Sequence, residues 1–176
     1  MKTLLNSKQL DITLQRLAHE LIENHLDFSN TVIIGLQPRG IWLSDKLVYI
    51  LKNITKAKEL KYGKLDITFY RDDVYQEGAK LIPSQTEINF SVENKKVILV
   101  DDVLHTGRTV RSAMDALLDF GRPQHVELLV LIDRHYSREL PIQADYIGMV
   151  VDTIISQRVK VTWKEQNQKE EVLLID

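Results

Sequence analysis

The sequence predicts an α/β domain built around a mainly parallel β-sheet. Three short apolar runs, 31–36, 97–100 and 126–132, are rich in β-branched residues, which is typical of strands buried on both faces. Apolar residues recur at three- and four-residue steps over 41–53 and 109–120, so an amphipathic helix is predicted after each of the first two runs. Because neighbouring parallel strands need a long crossover, strands that alternate with helices favour a parallel sheet.

Periodicity and turn residues predict the remaining elements. They are a helix over 8–25, a turn over 37–40, strands over 65–69 and 146–151, and a hairpin of 158–163 with 171–175. Residues 71–90 hold charged and polar side chains with one Gly and one Pro, and they predict a long connection of the kind that covers active sites. Gly121 is placed to end the helix over 109–120. We expect a single domain over 1–176, without repeats or a linker.

Composition excludes several classes of function. The 176 residues contain 23 Lys and Arg against 25 Asp and Glu, a formal charge of -2 that lacks the strong basic excess of many nucleic-acid-binding proteins. A local basic face remains compatible with this total. The absence of cysteine excludes disulfides, thiolate zinc sites and cysteine nucleophiles. Neither a signal peptide nor an apolar run of about 20 residues is present, so we expect a cytoplasmic protein that does not contact membranes.

The strongest functional signal is the string 97–109, in which four apolar residues precede two aspartates and then Thr-Gly-x-Thr. Gly107 allows a tight turn and the close approach of a ligand. The hydroxyls of Thr106 and Thr109 add hydrogen-bond donors. The free N–H groups of the following helix face the same turn, with the positive end of the helix dipole behind them. This combination predicts a cradle for a phosphate monoester.

Asp101 and Asp102 directly precede this cradle. Neighbours on a regular strand face opposite ways, so both reach one ligand only if the chain is already turning. Carboxylates repel a phosphate, but they accept hydrogen bonds from sugar hydroxyls and hold Mg²⁺ through water. The pattern therefore favours a sugar phosphate; the alternative is a strand that ends in two solvated acids before a capped helix. The GxxxxGK[ST] and GxGxxG fingerprints of other nucleotide folds are absent.

At these residues the chain resembles the type I phosphoribosyltransferases, whose signature for 5-phosphoribosyl-1-pyrophosphate (PRPP) is similar to 97–109. More closely, it resembles the family of pyrimidine-operon attenuation regulators that are also uracil phosphoribosyltransferases. The further segments that carry this resemblance are 66–73 (DITFYRDD), 111–119 (RSAMDALLD), 121–123 (GRP), 138–142 (RELPI) and 144–146 (ADY). The resemblance covers roughly 14–148 and is weak in the tail.

The resemblance implies a parallel sheet with helices on both faces and a small hood formed by about 133–157 and the N-terminal segment. It implies transfer of the phosphoribosyl group from PRPP to uracil, giving UMP and pyrophosphate with Mg²⁺, in a homodimer or larger homo-oligomer. Two alternatives stay open: an RNA-binding attenuator that senses UMP or UTP with little catalysis, and a phosphoribosyltransferase for purine bases.

Site residues also follow from the resemblance. The implied PRPP-binding residues are Gln37, Pro38, Arg39, Gly40, Asp101, Asp102, Leu104, His105, Thr106, Gly107, Arg108 and Thr109. Within this set, 106–109 takes the 5′-phosphate, Arg39 the pyrophosphate, and the aspartates the ribose hydroxyls and, through water, Mg²⁺. The lid begins at Arg71, Asp72 and Asp73. The candidate catalytic residues are Arg39, Arg71, Asp101, Asp102 and His105.

The chain departs from the family pattern at several positions. Pro38 stands where relatives commonly carry Thr and removes a backbone N–H donor. His105 stands where pyrimidine relatives commonly carry Tyr, and it either exchanges a proton with the base or only meets water. Gln143 and Met149 replace positive residues that help the regulators contact RNA. Residues 150–153 differ in a segment that frames the uracil pocket, so the base is less well defined than the transfer chemistry.

Other conspicuous residues have simpler expected roles. His19 and His25, on the first predicted helix, are expected to face solvent or an interface. Trp42 is expected to pack against the sheet, with stacking on a base as the alternative, and Trp163 to lie at an edge or in the core. The lysine-rich stretch 52–64 is expected to be a solvated face, or else a patch that follows phosphates.

Overall fold

A computed structural model describes residues 1–55, 60–72, 82–154, 156–164 and 169–176. The helices are α1 (Ser7–His25), α2 (Gly40–Thr55) and α3 (Arg108–Leu117). The strands are β1 (Lys2–Leu5), β2 (Thr31–Leu36), β3 (Lys61–Leu65), β4 (Lys96–Leu104), β5 (His125–His135), β6 (Tyr146–Asp152), β7 (Arg158–Thr162) and β8 (Glu171–Ile175). Within these ranges no helix has the length and apolar character needed to cross a bilayer.

The main sheet has the order β3-β2-β4-β5-β6, and its strand pairs are parallel. Helices α1 and α2 bury their apolar sides against one face of this sheet, and α3 packs on the other face. The prediction of a parallel sheet with helices on both faces is therefore confirmed. Because the strands are parallel, their carboxyl ends lie at the same end of the sheet. The loops after β2, β4 and β5 come together there.

A second sheet, which we call the hood, has the order β1-β8-β7 and is antiparallel. The predicted hairpin of 158–163 with 171–175 is confirmed, and the N-terminal strand β1 pairs along β8. The expectation that about 133–157 forms the hood is wrong, because β6 pairs along β5 as the edge strand of the main sheet. Trp163 is fully buried in the apolar cluster shared with α1 and α2, which fixes the hood to the main body.

Local hydrogen bonds explain where the predicted elements differ from the observed ones. The strand expected over 65–69 ends at Leu65, and Thr68–Tyr70 form a 3₁₀ turn instead. The Asp66 carboxylate accepts the Thr68 N–H at 3.1 Å and the Thr68 hydroxyl at 2.6 Å, which favours a turn over an extended strand. Of the long connection 71–90, residues 73–81 lie outside the described residues.

One histidine prediction is wrong. His19 is exposed as expected, but the His25 side chain is only 1% exposed. Its Nδ1 lies 3.0 Å from the Thr31 hydroxyl, and its Nε2 lies 2.8 Å from a Glu127 carboxylate oxygen. The hydroxyl of Tyr146 donates to the same Glu127 oxygen. These groups form a buried polar cluster at the edge of the sheet where the strands begin.

Candidate active site

The turn between β4 and α3 has the geometry that the Thr-Gly-x-Thr pattern predicts. Gly107 has φ +92 and stands directly before the first residue of α3. The backbone angle favours glycine, and a Cβ there would lie in tight contact, at 3.2 Å, with the Ile142 side chain. The carbonyl of Thr106 accepts the N–H groups of Glu139 and Leu140, which fixes the turn against the loop after β5. The turn therefore presents the N-terminus of a ten-residue helix to the cleft beside it.

Asp101 and Asp102 lie on β4 just before this turn, and both are buried. The Asp102 N–H donates to Asp101 Oδ1 at 2.9 Å, and both residues line the same cavity although β4 continues to Leu104. Burial raises the pKa of Asp101 well above its usual value, and the neighbouring Asp102 charge raises it further. Burial also raises the pKa of Asp102, while the Arg39 charge opposes that rise. Two acids desolvated in this way favour a ligand that supplies hydroxyl donors or a cation.

The loop after β2 lies directly against the two acids. Gly40 is the point of contact, because a Cβ there would lie 2.3 Å from the Val100 carbonyl oxygen and 3.0 Å from Asp101 Cα. The Gln37–Pro38 peptide is cis. Gln37 donates its side-chain amide to the Gln85 carbonyl at 2.7 Å, so that amide fastens the loop. Arg39, two residues further along this loop, is exposed. Its positive charge lowers the pKa of both aspartates and so opposes the effect of their burial.

A cavity of about 660 Å³, which we call the cleft, joins these loops. Eight of the predicted site residues line it: Gln37, Pro38, Arg39, Arg71, Asp101, Asp102, His105 and Thr109. Gly40 packs against the backbone of Val100 and Asp101. Leu104 is buried in the apolar core. Thr106 and Gly107 shape the turn, while the Arg108 guanidinium pairs with Asp72 and Glu139 outside the cleft lining. Asp73 lies outside the described residues.

Sequence reasoning missed two arginines that also line the cleft, Arg134 and Arg158. Arg134 is buried at the end of β5, where its guanidinium donates to the Thr153 hydroxyl at 3.0 Å and to the Gln157 carbonyl at 2.9 Å. It therefore ties the main sheet to the segment that leads into the hood. The position of Arg134, two residues beyond the apolar run 126–132, was a usable signal. Arg158 had no such signal, because it reaches the cleft only through the docking of the hood.

A second cavity of about 410 Å³ lies beneath the hood and shares Arg39, Asp102 and Arg158 with the cleft. Lys160 adds a third cation to its lining, against the single carboxylate of Asp102. Trp42 also lines this hood cavity and is half-buried against the core. The excess of cations favours an anionic ligand group in this part of the site.

His105 follows β4 and is exposed at the mouth of the cleft. Burial of its ring lowers its pKa, and the positive charge of Arg134 lowers it further. The backbone around it is fixed, because Arg138 Nη1 donates to the His105 carbonyl at 2.6 Å. The imidazole is therefore held in the neutral form to lower pH than an ordinary histidine, with its ring free to meet a ligand.

The acids of the cleft fit a magnesium ion that is bound together with substrate. In the described ranges no group of three or more His, Asp or Glu residues is arranged to hold a metal by protein ligands alone. The two neighbouring carboxyls of Asp101 and Asp102 match the way proteins bind Mg²⁺, through one or two carboxylates with water and substrate phosphates. Their raised pKa values are consistent with a site that gains a cation on binding.

Comparisons with known proteins agree with this geometry. The phosphoribosyl transferase domain family matches residues 1–166. Proteins named "Bifunctional protein PyrR" from Elusimicrobium minutum and Bacillus cereus are each 42% identical over 174 residues. The match covers 99% of this chain for the first and 98% for the second, and 96% of either relative.

Solved structures agree on the fold. The hypoxanthine phosphoribosyltransferase of Trypanosoma cruzi superposes with a TM-score of 0.74 at 14% identity, covering 99% of this chain and 95% of that one. The corresponding enzyme of Staphylococcus aureus gives 0.71 at 20% identity, covering 97% and 90%. Since the matched residues include the hood strand β1, the cleft and the turn before α3, the chain belongs to the phosphoribosyl transferase family, as a relative of the bifunctional PyrR proteins.

Proposed function

We propose that this phosphoribosyltransferase transfers the phosphoribosyl group of PRPP to uracil. One observation carries the proposal: two buried carboxyls, Asp101 and Asp102, lie in the cleft immediately before a glycine turn that opens helix α3. A helix N-terminus favours a phosphate, and the carboxyls that line the same cleft favour hydroxyl donors. A ribose 5-phosphate satisfies both at once.

The reaction exchanges one bond at C1′ of the ribose for another. The bond from C1′ to the pyrophosphate oxygen breaks, the bond from C1′ to uracil N1 forms, and the N1 proton passes to solvent, directly or by way of the neutral His105 imidazole. Positive charge develops on the ribose ring as the anion leaves, so the aspartates at the ribose stabilise it electrostatically. Arg39, Arg158 and Lys160 in the hood cavity would hold the departing pyrophosphate. Their three charges would offset the missing backbone N–H donor of Pro38.

Mg²⁺ belongs to this proposal as a partner of PRPP. Asp101 and Asp102 would hold it, directly or through water, together with oxygens of the substrate. When bound, it neutralises charge on the pyrophosphate and so makes that group easier to displace. The chain's own contribution is to orient the ribose between the turn before α3 and the loop after β2.

Uracil is the proposed base because the relatives at 42% identity are named PyrR and the chain resembles uracil phosphoribosyltransferases in several segments. The hypoxanthine phosphoribosyltransferases are below 25% identity and support the fold alone. His105 is a polar side chain at the mouth of the cleft that is available to a base edge. A neutral imidazole can accept a proton from a ring nitrogen of the base.

The test is a turnover assay with purified protein, PRPP and Mg²⁺, and with uracil, hypoxanthine or guanine in turn. We expect UMP and pyrophosphate in equal amounts from uracil, and at least about 100-fold lower kcat/KM for either purine. Turnover of a purine above that of uracil would replace the proposed base while leaving the transfer chemistry intact. Absence of nucleotide product from every base would overturn the proposal.

A second proposed activity is binding to a pyrimidine-gene leader RNA, because the chain resembles the pyrimidine-operon attenuation regulators and its relatives are named bifunctional. Against it, Arg16 uses its guanidinium within the protein, donating to the carbonyls of Ile147 and Gly148 at 2.9 and 2.7 Å. Gln143 and Met149 add no charge nearby. Filter binding with and without UMP separates the two activities, and we expect at most weak RNA binding that salt abolishes.

We also propose that the chain forms a homo-oligomer. Adjacent elements expose several large apolar side chains: Phe69, Tyr70, Met114 and Leu118. An apolar patch shared by the 3₁₀ turn after β3 and helix α3 suits a contact with a second copy. Light scattering of the purified protein checks this, and Phe69→Asp with Leu118→Asp is expected to give monomers.

A further inference from the structure

We propose that Arg108 is a positioning residue for Arg71, which it holds in the cleft by way of Asp72. The inference rests on the proposed function in one respect, namely that the cleft binds PRPP. Arg108 is the first residue of helix α3, in the turn whose backbone we propose to bind the 5′-phosphate. Its guanidinium instead forms ion pairs with carboxylates.

The guanidinium of Arg108 is shared between two carboxylates. Its Nη1 lies 2.5 Å from Asp72 Oδ2, and its Nε lies 2.6 Å from Glu139 Oε2. Arg111, one turn further along α3, places its Nη2 3.5 Å from the same Asp72 oxygen. Both hydrogen-bonded acids raise the pKa of Arg108, Glu139 the more strongly. Asp72 is thus held to the first turns of α3 by two cations.

The other neighbour of Arg71 is tied to the same helix. The Tyr70 hydroxyl donates to the Asp119 carboxylate in the 3₁₀ turn that continues α3. This hydrogen bond raises the pKa of Tyr70, which keeps the phenol protonated as the donor. Residues on either side of Arg71 are therefore fixed to one rigid element, whereas Arg71 itself lines the cleft. With both flanking residues fixed, the backbone directs the side chain between them.

The pairing also argues against a direct role of the Arg108 guanidinium in phosphate binding. Two carboxylates accept from its Nε and Nη1, and the residue does not line the cleft. Because Arg108, Asp72 and Glu139 are substantially exposed, the ion pairs add little to global stability. Their effect is on orientation, and it should appear in the binding of the anionic substrate more than in the unfolding temperature.

The chain provides a matched pair of variants. Asp72→Asn and Glu139→Gln each remove one carboxylate from Arg108, but only the first releases a neighbour of Arg71. By calorimetric titration with PRPP and Mg²⁺, we expect Asp72→Asn to weaken PRPP binding about 5- to 10-fold, equivalent to about 1 kcal/mol, with Glu139→Gln within about 2-fold of the unmodified protein. The KM for uracil and the unfolding temperature are expected to stay unchanged in both.

A double substitution separates positioning from a general structural effect. If Asp72 acts through Arg71, then Arg71→Gln with Asp72→Asn binds PRPP no more weakly than Arg71→Gln alone. Multiplying effects, or equal losses in Asp72→Asn and Glu139→Gln, would overturn the inference. Arg108→Gln, which removes the charge that pairs with Asp72, is expected to change PRPP binding in the same direction as Asp72→Asn. Should the unmodified protein bind PRPP but turn over no base, the proposed function fails while these binding ratios still decide the inference.

Discussion

Ionisable groups are buried at both ends of the parallel sheet, and the two sets differ in their partners. Where the strands begin, the ring nitrogens of His25 lie 3.0 Å from Thr31 and 2.8 Å from Glu127, and Tyr146 completes the cluster. Where the strands end, Asp101 and Asp102 face the cleft and make no ion pair with the described residues. The first group is paired within the protein, whereas the second faces the cavity in which we propose that a ligand binds.

This difference separates a structural cluster from a functional one without any reference to relatives. Buried polar groups that already have partners stabilise the fold and specify its packing. Buried acids whose pKa values are raised by desolvation keep a free-energy cost in the unliganded protein. Substitutions at the two ends should therefore have opposite consequences for activity and stability.

Asp101→Asn should have the largest effect on turnover. Loss of the carboxylate at the ribose is expected to lower kcat/KM by about 100- to 1000-fold, as for other groups that stabilise transition-state charge. The same variant should be more stable at neutral pH. A carboxyl whose folded pKa is raised keeps its full stability only below about pH 3.8 and loses it as pH rises through the folded value. Asparagine removes that loss.

Thermal unfolding at pH 4.5 and pH 8 checks the sign. The gain of Asp101→Asn over the unmodified protein should be greater at pH 8, by roughly 2–4 °C for each kcal/mol recovered. Asp115→Asn, an exposed position on α3, is the control and should change neither activity nor stability. A variant less stable than the unmodified protein at pH 8 would mean that Asp101 is stabilised by partners, as His25 is.

His25→Ala should have the largest effect on stability and almost none on turnover. Removal of the imidazole takes a hydrogen-bond partner from the buried Thr31 hydroxyl and from the part-buried Glu127 carboxylate, at a cost of about 2–4 kcal/mol. The unfolding temperature should fall by about 5–12 °C. At 25 °C, kcat/KM for uracil should stay within about 2-fold, since the cluster lies at the far end of the strands.

His19→Ala is the matched control on the same helix. Its ring is exposed, so the change in free energy of unfolding should stay within about 0.5 kcal/mol. If both variants lose the same stability, the His25 cluster contributes no more than an exposed helix position. The claim that this end of the sheet carries a stabilising cluster would then be wrong.

The same contrast explains how much of the molecule the sequence could predict. The strands β2, β4 and β5 and the turn with Gly107 were predictable because each is one continuous pattern. His25 was misread because Glu127, which makes its burial tolerable, lies 102 residues away. Arg158 was missed for a similar reason, since only the docking of the hood brings it to the cleft. Contacts between distant segments depend on strand order, and no local pattern records that order.

Asp66 shows a different limit. The apolar and polar alternation over 65–69 has strand period, yet the Asp66 carboxylate captures the N–H and the hydroxyl of Thr68 and bends the chain. Two short-range preferences competed, and the hydrogen bond prevailed over the periodicity. The resulting turn matters for function, because it starts the segment that brings Arg71 to the cleft.

Substitution of His105 should give the smallest changes in stability. It tests whether the cleft shifts the pKa of a side chain that is exposed to solvent. Its pKa is lowered by burial and by Arg134, so the ring loses its proton below the usual 6.5. A histidine with a depressed folded pKa contributes stability that is present above pH 6.5 and lost as pH falls through the folded value. Because the side chain is largely exposed, His105→Gln should relieve this loss by less than about 2 °C.

Proton NMR gives the direct measurement, with the His105 resonance assigned by its absence in His105→Gln. We expect a titration midpoint below 6.5; a midpoint above it would mean that a carboxylate such as Glu139 dominates the ring's surroundings. At pH 8 the ring is neutral in any case, so a fall in uracil kcat/KM of less than about 5-fold in His105→Gln would limit it to contact with the base. A fall beyond about 100-fold would make its neutral imidazole the acceptor of the N1 proton.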